Sequence, residues 1–320
     1  MCRLVEETRP VLIGLPIDAA LPALTRFSNA GYHRGTGLST AAVSGVDAAV
    51  WDALARTAGM SLAAFLGGRA RDSVVPYASA GYIIPGDDLS AFRSRLEKDT
   101  AGFRAAKIKI GTGLAADLER IEAAREVLGP QRELMVDVNA NYTVEEADRL
   151  CRELAGVDVG WLEEPLGPED ISGLHRLRRH EVRLATGESL FTRHPFRPLL
   201  ARRLVDVIQP DVTKVGGVSE MRALLDMARA WSVRISPHVW GGGVALATSL
   251  QLLASIPDYP YAAHVASTPW LEFDRAENGL RDKLLTTPVE MKDGLVAIPN
   301  GPGIGVELDD DYVDRTRMDR

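Results

Sequence analysis

ELMVDVNANY (133–142), VGWLEEP (159–165) and RLATGES (183–189) decide the fold: three apolar runs, each with a carboxylate at its end, Asp137, Glu163 and Glu188. The carboxylates lie 26 and 25 residues apart. That spacing holds one strand, one crossover helix and two short loops, so the acids are expected at the same end of neighbouring parallel strands. One such acid alone reads as a solvated loop residue; three in phase with a strand repeat read as a metal site. Clustered oxygen donors suit Mg2+, because Zn2+ favours His and Cys.

Working outward, the same unit repeats. Apolar or β-branched runs begin near Val74, Ala105, Glu133, Val159, Arg183, Val205, Val233 and Ala262. Between them lie amphipathic helical patterns such as LSAFRSRLEKDTAG (89–102), LERIEAAREVLG (118–129) and EMRALLDMARAW (220–231). Eight strands with seven intervening helices make a closed α/β barrel; an open doubly wound sheet would need a dinucleotide loop, which is missing. Residues 1–73 read as mostly helical, with one long helix from Thr40 through Leu66 stopped by Gly67-Gly68. GYHRGTG (31–37) matches neither nucleotide-binding fingerprint and reads as a connecting loop. Asp47 and Asp52 are expected to cap or pair locally. Residues 74–272 form the barrel, and 273–320, rich in Gly and Pro, are expected to pack back on the N-terminal helices.

Composition narrows the function classes. A 320-residue chain that is 46% hydrophobic supports a large core. The net charge of −7, with no basic cluster longer than RLRRH (176–180), argues against nucleic acid and anionic membranes. Two cysteines, Cys2 and Cys151, are too few for a disulfide framework, and Cys151 lies on the apolar phase of a helix, a reduced core thiol. No membrane-length apolar run and no secretory segment are visible, so a cytoplasmic location is expected.

Two further motifs carry chemistry. AAKIKIG (105–111) puts Lys107 and Lys109 on one face of a buried strand, where two neighbouring ammonium groups are expected to depress each other's pKa and give a neutral base. VIQPD (207–211) and RISPHVW (234–240) end adjacent strands in Asp211 and His238, a carboxylate beside an imidazole, the arrangement of a general base or acid. His33, His175, His180, His194 and His264 read as structural. Glu164 is expected to point away from Glu163 and is not taken as a ligand.

KIKIG, DVNANY, WLEEP, TGES, IQPD followed by KVGG, SPHVWGG and PWLEFD, in this order, resemble the mandelate racemase subgroup of the enolase superfamily over nearly the whole chain. The resemblance implies a (β/α)7β modified TIM barrel with a small capping domain, here incomplete, mostly helical and completed by the C-terminal tail. The family's cap opens with strands and a mobile loop, whereas only about 73 residues precede the first barrel strand here. It further implies one Mg2+ per subunit on Asp137, Glu163 and Glu188, and Lys109 as the base on one face of the substrate with Lys107 beside it. The His238–Asp211 dyad would act on the other face, Glu272 would bind the substrate carboxylate or its enolate, and Asn139 would contact substrate. A lysine in place of Asp211 would mark the other, dilysine, subgroup. The reaction implied is removal of the proton α to a carboxylate, followed by dehydration of an acid sugar or opening of its lactone. Racemisation of a 2-hydroxy acid, and a non-catalytic metal-binding scaffold, are the alternatives. A small-molecule carboxylate and a homo-oligomer are the expected partners.

Overall fold

A computed structural model describes residues 1–30, 37–257 and 269–317. Eleven strands are present among them: β1 (Ser73–Val74), β2 (Pro76–Ala80), β3 (Ala105–Lys109), β4 (Glu133–Asp137), β5 (Leu162–Glu163), β6 (Leu184–Thr186), β7 (Val207–Ile208), β8 (Arg234–Ile235), β9 (Leu271–Asp274), β10 (Met291–Lys292) and β11 (Leu295–Ala297). Eight of them form one parallel sheet in the order β8-β7-β6-β5-β4-β3-β2-β9. Each successive pair in β2 to β8 is joined by a helix: Leu89–Asp99, Leu114–Leu128, Val144–Glu153, Ile171–Leu177, Phe196–Ala201 and Gly217–Trp231, with Gly243–Ser255 following β8. This is the (β/α)7β barrel. Among the described residues no backbone ladder joins β8 to β9; the seam is crossed instead by Ser236 Oγ donating to the Trp270 carbonyl at 3.3 Å.

A parallel strand covered by helices outside and side chains inside must be apolar on both faces, which is why β2, PYASA, is buried at every position. The inner wall is layered. Tyr77, Ala105, Met135, Trp161, Ala185 and Val207 pack together, with Trp270 against them, as an apolar floor. Two residues further along the same strands, hence on the same inward face, stand Ser79, Lys107, Asp137, Glu163, Gly187, Gln209 and Glu272.

Three sequence expectations shift. Val74 begins no barrel strand but pairs with Val296 in a small antiparallel sheet, β1-β11-β10, and the barrel strand starts at Pro76. The helix expected over Thr40–Leu66 is two, Gly37–Thr57 and Leu62–Phe65, because Gly59 takes φ 66 and Ser61 caps the second by accepting from Ala64 N. The eighth strand, placed from Ala262, begins at Leu271; Ala262 itself, with His264, His33 and residues 31–36 of the glycine loop, lies outside the described residues. Cys151 is a buried free thiol and Cys2 an exposed one. No helix among the described residues is long and apolar enough to cross a membrane.

The N-terminal helices and the tail clasp the barrel. Asp52 accepts from Arg56 Nε, the local pair expected, and also from Ile304 N of the tail at 2.7 Å. Arg56 reaches on to Glu307 at 2.7 Å. Asp47 does not act locally: it accepts from Ser219 N at 3.0 Å and Ser219 Oγ at 2.5 Å on the barrel helix Gly217–Trp231.

Candidate active site

Every strand that reaches the charged layer contributes to one site at the C-terminal ends of the sheet. In-register pairing of Lys109 with Asp137, and of Asp137 with Glu163, sets three functional side chains side by side. One oxygen from each of Asp137, Glu163 and Glu188 lies within 4.8 Å of the others, so the acids expected to share a strand end do cluster and form a group able to hold a metal. Glu188 Oε2 is buried without a hydrogen-bond donor, and its contact with His238 Nε2 is 3.2 Å.

Lys107 sits at the centre of the layer with 1% exposure. Its Nζ lies 2.5 Å from Glu163 Oε1, 2.9 Å from Glu272 Oε1 and 3.4 Å from Asp137 Oδ2. At Lys107 the neighbouring carboxylates set the balance. Burial disfavours the Lys107 ammonium, but the carboxylates of Glu163, Glu272 and Asp137 outweigh it and raise its pKa well above the ordinary value. These carboxylates favour the charged form of Lys107. Lys109, less enclosed, donates to Asp137 Oδ2 at 2.6 Å.

On the other side His238 Nδ1 lies 2.7 Å from Asp211 Oδ2. Asp211 Oδ1 is held by the Thr213 N–H and hydroxyl, both at 2.7 Å, which fixes the carboxylate that orients the ring. Burial opposes charge on the imidazole; Glu272, the Asp211 hydrogen bond and Glu188 override it and push His238 up to about 9. Glu272 accepts from Lys107 and from Val239 N at 2.9 Å, and although burial disfavours its charge, Lys107 and His238 hold it below the usual carboxylate range. Burial, then the charge of Asp137, push Glu163 up to about 8.

Asn139 stands beside this cluster at φ 48, donating its backbone N–H to Asp137 Oδ1 at 2.9 Å. Glu164 is buried at φ 38 and outside the metal-competent group; burial and Glu188 push it up to about 7. Elsewhere His180 Nε2 meets Asp148 at 2.9 Å on the outer helices, while His175 and His194 are exposed. Sequence reasoning passed over Trp161 and Gln209, which both donate to Glu163. Gln209 was detectable: it is in inward phase with Lys107 and Glu163 on its own strand.

All-oxygen donors fit a hard cation such as Mg2+, and Glu188 Oε2, 3.2 Å from His238 Nε2, completes no hydrogen bond among the described residues.

The chain resembles known proteins over most of its length. The profile described as "Mandelate racemase / muconate lactonizing enzyme, N-terminal domain" matches residues 3–67, and "Enolase C-terminal domain-like" matches 91–312. D-galactarolactone cycloisomerase of Agrobacterium fabrum is 40% identical over 285 residues, covering 88% of this chain and 75% of the relative. Arabinonate dehydratase of Saccharolobus solfataricus is 33% identical over 277 residues, 86% of this chain and 71% of the relative. Among solved structures, 3,6-anhydro-D-galactonate cycloisomerase from Zobellia galactanivorans superposes with TM-score 0.88 at 29% identity, covering 98% of this chain and 86% of that one. L-talarate dehydratase from Polaromonas, complexed with Mg and L-glucarate, gives 0.84 at 28% identity, covering 99% and 83%.

Proposed function

Since this chain belongs to the mandelate racemase and muconate lactonizing enzyme family of the enolase superfamily, we propose that it removes the proton α to the carboxylate of an acid sugar, or of its lactone. Its relatives are dehydratases and cycloisomerases, and Mg2+-dependent enolisation is the family's mechanism. The chain is an enzyme of this kind. The observation that carries the residue assignment is the placement of two different proton-transfer groups at opposite ends of one acidic triad: Lys109 touches Asp137, and His238 touches Glu188.

Asp137, Glu163 and Glu188 would hold one Mg2+ per subunit, whose positive charge stabilises the enolate. The amine of Lys109 takes the α-proton on one face. Lys107, fixed by three carboxylates that favour its charged form, is assigned to supply positive potential beside Lys109. His238, held by Asp211, protonates the group that leaves from the β-carbon, so that a hydroxyl departs as water in a dehydration or the ester ring oxygen of a lactone departs as a carboxylic acid, opening the ring. The enol then becomes a 2-keto acid. Glu272 is assigned to the substrate carboxylate and Asn139 to a neighbouring oxygen. Assembly as a homo-oligomer is part of the same proposal, checked by light scattering.

The test is α-proton exchange in D2O with Mg2+, across mono- and dicarboxylic acid sugars and their lactones, with 2-keto acid and optical rotation followed in parallel. Exchange is expected with at least one substrate, and Lys109→Met is expected to lower it by roughly 10²- to 10⁴-fold. A folded, Mg2+-loaded sample that exchanges none of them overturns the reading. Two opposed groups also suit inversion at the α-carbon, and loss of optical rotation without keto acid would assign racemisation instead.

A further inference from the structure

Glu163 is completely buried. Two neutral donors converge on one of its oxygens: Trp161 Nε1 reaches Oε2 at 2.9 Å and Gln209 Nε2 reaches the same atom at 2.6 Å. The other oxygen, Oε1, accepts from Lys107 Nζ at 2.5 Å and has a second acceptor site left for a cation. We infer that Trp161 and Gln209 are positioning residues that clamp Oε2 of Glu163, leave Oε1 as the single oxygen offered to the metal, and so set the site's preference for Mg2+ over Ca2+. The inference rests on Glu163 being a metal ligand.

Gln209 has no other evident employment, since its amide oxygen is buried without a partner among the described residues. Its lodging is specific. It stands just beyond β7, two strands from β5, and Gly187 between them has φ 134 and no room for a side chain: a Cβ there would meet Phe196 at 2.7 Å and Gln209 N at 3.1 Å. Trp161 is fixed from below by its edge contact with Tyr77, ring centroids 5.6 Å apart. Both donors are uncharged, so at Oε2 they fix the carboxylate without adding to the positive charge that Lys107 brings to Oε1. An oxygen already accepting two N–H groups is poor at joining its twin in a two-oxygen grip on a cation. Ca2+ favours that grip and a high, flexible oxygen count, whereas Mg2+ demands a tight octahedron. Simple satisfaction of a buried acid would predict lost stability but no change in ion preference.

The full chain, stripped with chelator, is titrated calorimetrically with Mg2+ and with Ca2+, alongside Trp161→Phe, Gln209→Leu and Glu163→Gln, and Mn2+ binding is followed by electron paramagnetic resonance. Trp161→Phe keeps the ring and removes only the N–H, so it carries the test if Gln209→Leu fails to fold. Removing either donor is expected to weaken Mg2+ by roughly 10- to 100-fold, the usual cost of losing a partner of a metal ligand, to narrow the Mg2+/Ca2+ ratio, and to broaden the Mn2+ spectrum. If Glu163→Gln abolishes Mg2+ binding while both donor variants bind with parental affinity and ion ratio, the clamp is overturned and the ligand assignment stands. If the parent binds no Mg2+, or Glu163→Gln binds like the parent, the ligand assignment falls and the clamp with it.

Discussion

At His238 two forces compete, and the outcome is measurable. Burial would neutralise the ring, yet Glu272, Asp211 and Glu188 keep it charged, with its pKa pushed from 6.5 to about 9. A histidine whose folded pKa is raised adds stability that is complete below its unfolded value and is lost as pH climbs through the folded one. In chelator, the stability of the parent relative to His238→Asn should therefore be greatest below about pH 6.5 and shrink towards pH 9. The full change is at most about 3 kcal/mol. Denaturant unfolding across this range checks it; a difference that grows with pH would contradict the charge assignment. Catalytically, Lys109→Met and His238→Asn should differ. The first stops α-proton exchange, whereas the second stops turnover but leaves exchange on the Lys109 face, because it removes only the acid that releases the leaving group.

At the scale of elements, the barrel helix Gly217–Trp231 begins on glycines that have no side chain to cap it. Asp47, from the helix Gly37–Thr57, supplies the missing acceptor at Ser219 N, and Trp51 Nε1 steadies the Ser219 hydroxyl at 2.9 Å. Asp47→Ala should cost about 1 kcal/mol in unfolding, in the range of lost helix caps, without moving Mg2+ affinity. Equal unfolding free energies would show that the two helices hold without the cap. This bond was beyond reach of the sequence, since local spacing offered Asp47 only local partners and the true one lies 172 residues away. Asp52 was half legible, its i+4 pair visible and its tail contact not. By contrast Asp137, Glu163 and Glu188 were legible because a parallel strand repeat converts sequence spacing into adjacency. The charge state of Lys107 was not legible: KxK shows two ammonium groups, while the three carboxylates that decide its titration come from β4, β5 and β9.

Over the whole molecule, the acidic triad draws on three consecutive strand ends, so a bound cation should fasten the barrel as a unit. Mg2+ at 100 times its dissociation constant should stabilise the chain by about 2.7 kcal/mol. The gain should appear as a rise in melting temperature that saturates, and it should vanish in Asp137→Asn. A parental melting temperature indifferent to Mg2+ would count against the site. The seam between β8 and β9 has a different consequence. At site level it is bridged by Val239 N donating to Glu272, the same carboxylate that contacts Lys107. A carboxylate assigned to the site doubles there as a fastener of the scaffold. Evolution can retune specificity at the loops while the barrel stays shut, but it cannot trade Glu272 for another chemistry without loosening the wall it is built into.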